Sequence, residues 1–391
     1  MKEVFLDGAS NTPIDKRVLK AMRPYLNSKF VGNSFSIHDF GTRAFLAIED
    51  ARSQVVNALK VSREEVYFTS GATEGNNWVI HSIAEQFQTP WADRPRVICG
   101  ATEHSSVLNA CKYLEQKGFD VVYIKPNNEG RITAAAVKKH LIKKTCLVCV
   151  MAVNNEIGIE NEVNKICLEA KELEVPVLVD CTQALSVGGE STELGLRYPY
   201  ADYFTFSAHK IYGPTGVGCL IVRKGAKINP MLFGGAQENG KRGGTSNTAG
   251  IIGLGKAIEI LNKEDYLEHF DDLFCYFSSK LCCSRAGVLN TVPDHPNIFS
   301  VNFSHSLNVE NLAASLAVEG IAVSAGSACD AEHDDIEGFN PSHVLSALGL
   351  TEKEIRNTIR ISFTKYTKKK DIDRLFEAIE ILREEGKDYG K

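Results

Sequence analysis

The chain predicts an α/β fold: a mostly parallel sheet sandwiched by helices, with a smaller α+β domain beside it. Three observations carry that expectation. From about residue 60 to 225, apolar strand-like runs alternate with segments of helical period. Those strands are apolar almost without interruption, as strands covered on both faces must be. Beyond about residue 262 the alternation changes, and short strands and helices follow one another without the βαβ rhythm.

Taken in order, "EVYFTS" leads into "EGNNWVIHSIAEQF", and "RVICGA" into "HSSVLNACKYLEQKG". Next come "DVVYIK" with "TAAAVKKHLI", "CLVCVMAV" with "EVNKICLEAKELE", and "VPVLVDC". The runs "DYFTFSA" and "VGCLIVR" lie too close together for a crossover helix, so at least one is expected to run antiparallel. A long helix over Asn247–Asn262 leads out of this unit. Beyond it "NIFSVNF", a helix from Val309, "IAVSAGSAC" and "NTIRISF" build the smaller domain, and Lys368–Lys370 opens an amphipathic C-terminal helix. The N-terminal segment is expected to pack with the smaller domain. The division is then 15–262 for the large domain, and 1–14 with 263–391 for the small one.

A chain of 391 residues with 43% hydrophobic and 24% charged residues has the composition of an ordinary globular protein. Its net charge of −5, without a basic run, argues against a nucleic-acid-binding face. No segment is long and apolar enough to span a bilayer, and "MKEVFLDGAS" lacks the apolar stretch of a signal peptide, so a cytoplasmic location is expected. Eleven cysteines, an odd number scattered through strands and helices, fit a reducing compartment better than a disulfide framework. Cys146 and Cys149 sit in one extended run, where a single CxxC is a weak zinc signal; these and Cys282–Cys283 read as structural, and no metal site is expected.

In sheets of this kind ligands bind beyond the carboxyl ends of the strands. After "VYF" comes Thr69-Ser70-Gly71-Ala72-Thr73-Glu74, whose backbone amides and Thr73 hydroxyl would suit a phosphate at a helix start, or serve only as a helix cap. After "RVICGA" comes His104, a proton carrier, an aromatic platform or a structural residue. After "CLVCVMAV" come Asn154, Asn155 and Glu156. Asp180 and Gln183 follow "VPVLV", and an acid leaving a core strand needs a cationic or protonated partner. Ser207, His209 and Lys210 follow "YFTF", and lysine is almost never carried into a core unpaired. An acid, an amine, an imidazole and phosphate-binding hydroxyls at successive strand ends match the needs of pyridoxal phosphate. Lys210 is the amine that would become an imine.

The residues resemble the cysteine desulfurases (NifS/IscS-like) among the class V aminotransferase-type enzymes. "FTSGATEGNN", "EHSSVL", "VNNEIG", "VDCTQA", "SAHKIYGPTGVG", "GGAQENGKRGGT", "SAGSAC" and "PSHVLSALG" with "IRISF" fall in that family's order over most of the chain. The resemblance implies the fold type I of pyridoxal phosphate-dependent transferases. It also implies roles. Lys210 would hold the cofactor covalently, Asp180 would pair with the ring nitrogen, and Gln183 would bond the phenolic oxygen. His104 would stack on the ring and assist proton transfer. Gly71, Ala72, Thr73, Ser207 and His209 would hold the phosphate, with Thr245 reaching in from the other subunit of a homodimer. Asn155 and Arg360 would bind the substrate carboxylate. Cys329 would attack the sulfur of L-cysteine and carry it as a persulfide toward a protein acceptor in iron–sulfur cluster assembly or tRNA thiolation.

Departures from the family pattern are "DGASNTP" at the N-terminus, Ser34-Phe35, Gly243, and the acidic stretch that begins at Asp330. The acids beside Cys329 would disfavour its thiolate, and only His333 would help. Three rival readings stand beside the desulfurase. One is a selenocysteine lyase or other C–S lyase in which Cys329 is dispensable. Another is a non-catalytic scaffold on the same fold that binds partners, and the last is a redox or zinc protein built on Cys146 and Cys149.

Overall fold

The computed structural model describes residues 3–27, 29–87, 94–303, 307, 311–325 and 341–388. Twelve strands are present among them: β1 Val4–Phe5, β2 Val66–Thr69, β3 Arg96–Gly100, β4 Asp120–Ile124, β5 Thr145–Met151, β6 Val177–Asp180, β7 Tyr203–Ser207, β8 Gly218–Val222, β9 Val288–Leu289, β10 Ile298–Asn302, β11 Ile321–Ala322 and β12 Thr358–Ser362. Seven form one sheet in the order β2-β8-β7-β6-β5-β3-β4. All its pairings are parallel except those of β8, which runs antiparallel to both neighbours. The expectation of one antiparallel strand is met, and the reason is the short turn between β7 and β8.

Because side chains alternate across a strand, each strand feeds two cores. Phe204 and Phe206 of β7 pack with α1 (Lys16–Leu26), α2 (Asp39–Leu59) and the later helix Thr248–Lys263 on one face. Tyr203 and its neighbours face α3 (Ala72–Gln86) and α4 (Ser105–Gln116), where Trp78, Ile83 and Leu114 are buried. Helices therefore cover both faces, as the uninterrupted apolar strands require. The helix expected over Asn247–Asn262 is Thr248–Lys263, with the Asn247 side chain accepting from the Gly250 amide as its cap.

A second core lies around the antiparallel sheet β12-β10-β9. Phe270 and Phe277 from helix Leu267–Ser284, Phe299 from β10, and Phe363 and Phe376 near the C-terminus are buried there. The N-terminal strand β1 pairs in parallel with β11, and Asp7 bridges to Ser362. Its continuation does not stay with that core. Ala9 and Ser10 enter the cavity described below, and Thr12 bonds to the His209 carbonyl. The helix expected from Val309 is described from Leu312 to Val318, and Val309 lies outside the described residues. Among the described residues seven cysteines are buried, Cys146 and Cys149 among them, as expected of core thiols; Cys282 and Cys283 are exposed at a helix end, so they fill no core. No cluster able to hold a metal ion is found among the described residues.

Candidate active site

The carboxyl ends of β2, β3, β5, β6 and β7 lie along one edge of the large sheet, as follows from their mutual directions. Over that edge lies a cavity of about 200 Å³. Ala72, Thr73, His104, Asn155, Asp180, Gln183, Ser207, His209, Lys210 and Arg360 all line it. The strand-end residues read from the sequence therefore converge on one space. A larger open cleft, about 1080 Å³, surrounds Lys224–Asn229 and contains none of them. Its size reflects open solvent rather than convergent chemistry, so the smaller cavity is the candidate site.

Lys210 sits in a short helical turn directly after β7. Its Nζ donates to the carbonyls of Ala9 at 2.6 Å and Ser10 at 2.7 Å. Both acceptors belong to the N-terminal segment, which the sequence reading expected to pack with the smaller domain and to which it gave no part in the site. Burial, and then the Lys210 ammonium, lower the His209 imidazole to about 4, so it is neutral at neutral pH while no anion is beside it.

Asp180 ends β6 with its side chain held on both oxygens. Asn76 donates to Oδ2 at 2.8 Å, and the Thr182 amide donates to Oδ1 at 2.9 Å. Asn76 is fully buried on α3 and is itself fixed by the Thr205 hydroxyl at 2.6 Å. Gln183 donates through Nε2 to the Ala9 carbonyl at 3.0 Å.

His104 caps α4. Its Nδ1 accepts from the Ser106 amide at 3.1 Å, so in the neutral ring the proton is on Nε2. Ser207 accepts from the Ala72 amide at 2.8 Å and keeps its own proton to donate. Gly71 is the residue before α3 and does not line the cavity, yet a side chain there would press on Ser207 Oγ at 3.3 Å. Across the cavity, Arg360 of β12 is only 3% exposed. Its Nη2 donates to Asp7 Oδ1 at 2.7 Å and to Ser10 Oγ at 2.6 Å, and its Nη1 donates to the Asn155 carbonyl at 3.1 Å.

Two of the expected residues, Gly71 and Thr245, do not line this cavity. Thr245 is exposed and lies away from the cavity of its own chain. Cys329 lies outside the described residues. Three participants were not read from the sequence: Asp7 and Ser10, in an N-terminal stretch with no periodic pattern, and Asn76, inside a helix that reads as ordinary. The quoted "FTSGATEGNN" contained Asn76, and its two adjacent amides were the available signal.

The donor set fits pyridoxal phosphate. Two hydroxyls (Ser207 and Thr73), a neutral imidazole, a carboxylate and an amine all line the one cavity. The buried Nε of Arg360 and the Thr182 hydroxyl have no protein partner, which a polar ligand would supply.

Residues 4–375 match the family model described as aminotransferase class-V. Among curated proteins, the chain is similar to "Cysteine desulfurase IscS" of Dictyoglomus turgidum, 38% identical over 98% of this chain and 95% of that one. The protein of the same name from Methanosarcina thermophila is 34% identical over 97% and 91%. Among solved structures, one titled "NIFS-LIKE PROTEIN" superposes with a TM-score of 0.85 at 33% identity, covering 97% of this chain and 99% of that chain. Another, "SspA in complex with cysteine", gives 0.78 at 32% identity over 93% and 100%.

Proposed function

The chain belongs to the class-V aminotransferase family, and on that premise we propose that it is a pyridoxal 5′-phosphate-dependent cysteine desulfurase. The observation that carries this reading is the convergence of Lys210, Asp180, His104 and Arg360 on one cavity at the strand ends. Near full-length similarity to cysteine desulfurases supports it.

When bound, the cofactor supplies an electron sink for chemistry at the substrate's α-carbon. Lys210 would anchor it. Ser207, Thr73, His209 and the start of α3 would hold its phosphate, and Asp180, held in place by Asn76 and the Thr182 amide, would pair with its ring nitrogen. Gln183, which donates to the Ala9 carbonyl here, would bond the ring's phenolic oxygen. His104 would stack on the ring and assist proton transfer, its Nδ1 being held by the Ser106 amide. Arg360 and Asn155 hold the carboxylate of L-cysteine. Cys329 takes the sulfur: the Cβ–S bond breaks, an S–S bond forms, and the thiol's proton ends on the methyl group of L-alanine.

The small core carrying β12 and the Cys329 segment forms, in this reading, a lobe built from residues 1–14 and 263–391 that closes the site of the 15–262 lobe. Thr245, exposed and outside its own cavity, reaches the phosphate of a second copy in a homodimer. The exposed Phe35, Ile37 and Phe40 support a covered apolar face. No helix among the described residues is long and apolar enough to cross a membrane. The protein acts in the cytoplasm and passes its persulfide to a protein acceptor in iron–sulfur cluster assembly or tRNA thiolation.

The test is to supply L-cysteine and a reductant to the wild type and to Cys329→Ala, and to quantify alanine and sulfide. Equal yields from the wild type, both lost in the variant, are expected. Alanine formation that survives in Cys329→Ala would instead identify a C–S lyase.

A further inference from the structure

An arginine grips a carboxylate in two-pronged fashion along one of two edges, Nη1/Nη2 or Nε/Nη2. Both edges use Nη2. The second edge is employed twice elsewhere in this molecule, by Arg242 on Glu74 and by Arg17 on Asp15. On Arg360 both Nη2 protons are taken, one by Asp7 Oδ1 at 2.7 Å and one by Ser10 Oγ at 2.6 Å. Nε, the other prong of the second edge, is buried and has no protein partner. The guanidinium is thus held with neither two-pronged edge complete, and with one donor waiting.

We propose that Ser10 is a specificity-determining residue that holds Arg360 in this resting state and yields Nη2 to the carboxylate of the substrate. The proposal rests on the reading of Arg360 as the carboxylate site. Asp7 is the partner that stays, because its bond is an ion pair, while Ser10 offers a neutral hydroxyl and lines the cavity. Release of Ser10 Oγ restores a free proton on Nη2, which the waiting Nε–H or the remaining Nη1 proton complements. Asp7 and the Asn155 carbonyl keep the guanidinium in place throughout. Ser10 also holds the other cation of the site, since its carbonyl accepts from Lys210. That bond belongs to the backbone and survives any side-chain change at position 10.

A substrate that must displace a neutral hydrogen bond binds more weakly by what that bond contributes. In the cofactor-loaded protein, Ser10→Ala should therefore bind L-alanine about threefold to tenfold more tightly in an absorbance titration. KM for L-cysteine should fall by the same factor, and inhibition by cysteamine, which has the amine and thiol without the carboxylate, should not change. Arg360→Lys keeps the charge, removes both edges, and should raise the L-alanine dissociation constant and KM. If Ser10→Ala leaves L-alanine binding unchanged or weakens it while Arg360→Lys weakens it, the role of Ser10 is wrong and that of Arg360 stands. If Arg360→Lys changes neither quantity, the carboxylate site is elsewhere and both fall.

Discussion

Single side chains in this site are set by neighbours distant in sequence. Asp180 is legible because an acid after four apolar residues calls for a partner. Asn76, which holds it, is not, because a helical asparagine carries no signal until the helix is placed against β6 and β7. Asn76 is fully buried between Asp180 and Thr205, and removing its amide leaves two buried polar groups short of a partner. Asn76→Ala should weaken cofactor binding roughly tenfold or more, the scale of one hydrogen bond to a charged group at about 1.5–3 kcal/mol. Fluorescence titration of the apoprotein with pyridoxal phosphate measures this, and an unchanged affinity would show that Asp180 does not depend on Asn76.

At the scale of elements, the turn between β7 and β8 explains both the antiparallel strand and the position of Lys210. Tyr212 in that turn has φ +64°, a left-handed conformation that costs a bulky residue about 1–3 kcal/mol. Bonds on several sides hold it: its amide donates to Thr12 Oγ1, its carbonyl accepts from Asp15, and its hydroxyl accepts from the Lys365 amide. The Lys365 ammonium lies 4.3 Å from the centre of the Tyr212 ring and 5.4 Å from those of Tyr266 and Tyr366, and pairs with Asp15. This caged cation joins the end of β12 to the turn that carries Lys210. Both Lys365 and Asp15 are nearly buried, and Lys365→Met removes one charged hydrogen bond while Arg17 still grips Asp15, so it should cost about 1.5 kcal/mol. Chemical denaturation reads it, and a variant as stable as the wild type would mean the cage is ornamental. The strands were legible from apolar runs; this hub was not, because Asp15, Tyr212, Tyr266 and Lys365 are spread over the whole chain and each reads as a surface residue.

At the scale of the whole molecule, the packing around the large sheet and the core around β12-β10-β9 are joined by a chain end. The N-terminal segment bonds to Ser362 through the amides of Gly8 and Ala9, then crosses to the large sheet, where Thr12 meets His209. On the way its carbonyls hold Lys210 and Gln183 and its side chains hold Arg360. Sequence periodicity located the large sheet, and motif order supplied the roles of its strand ends. It could not show that the ten-residue stretch between β1 and α1 would touch both cations of the site, since nothing local requires it. The central claim is that Lys210 carries the cofactor. It is tested most directly by reducing the purified, cofactor-loaded protein with borohydride and mapping the modified peptide by mass spectrometry. A pyridoxyl group fixed on Lys210 is the expected result. A label on another lysine, or none in a protein shown to hold pyridoxal phosphate, would contradict it.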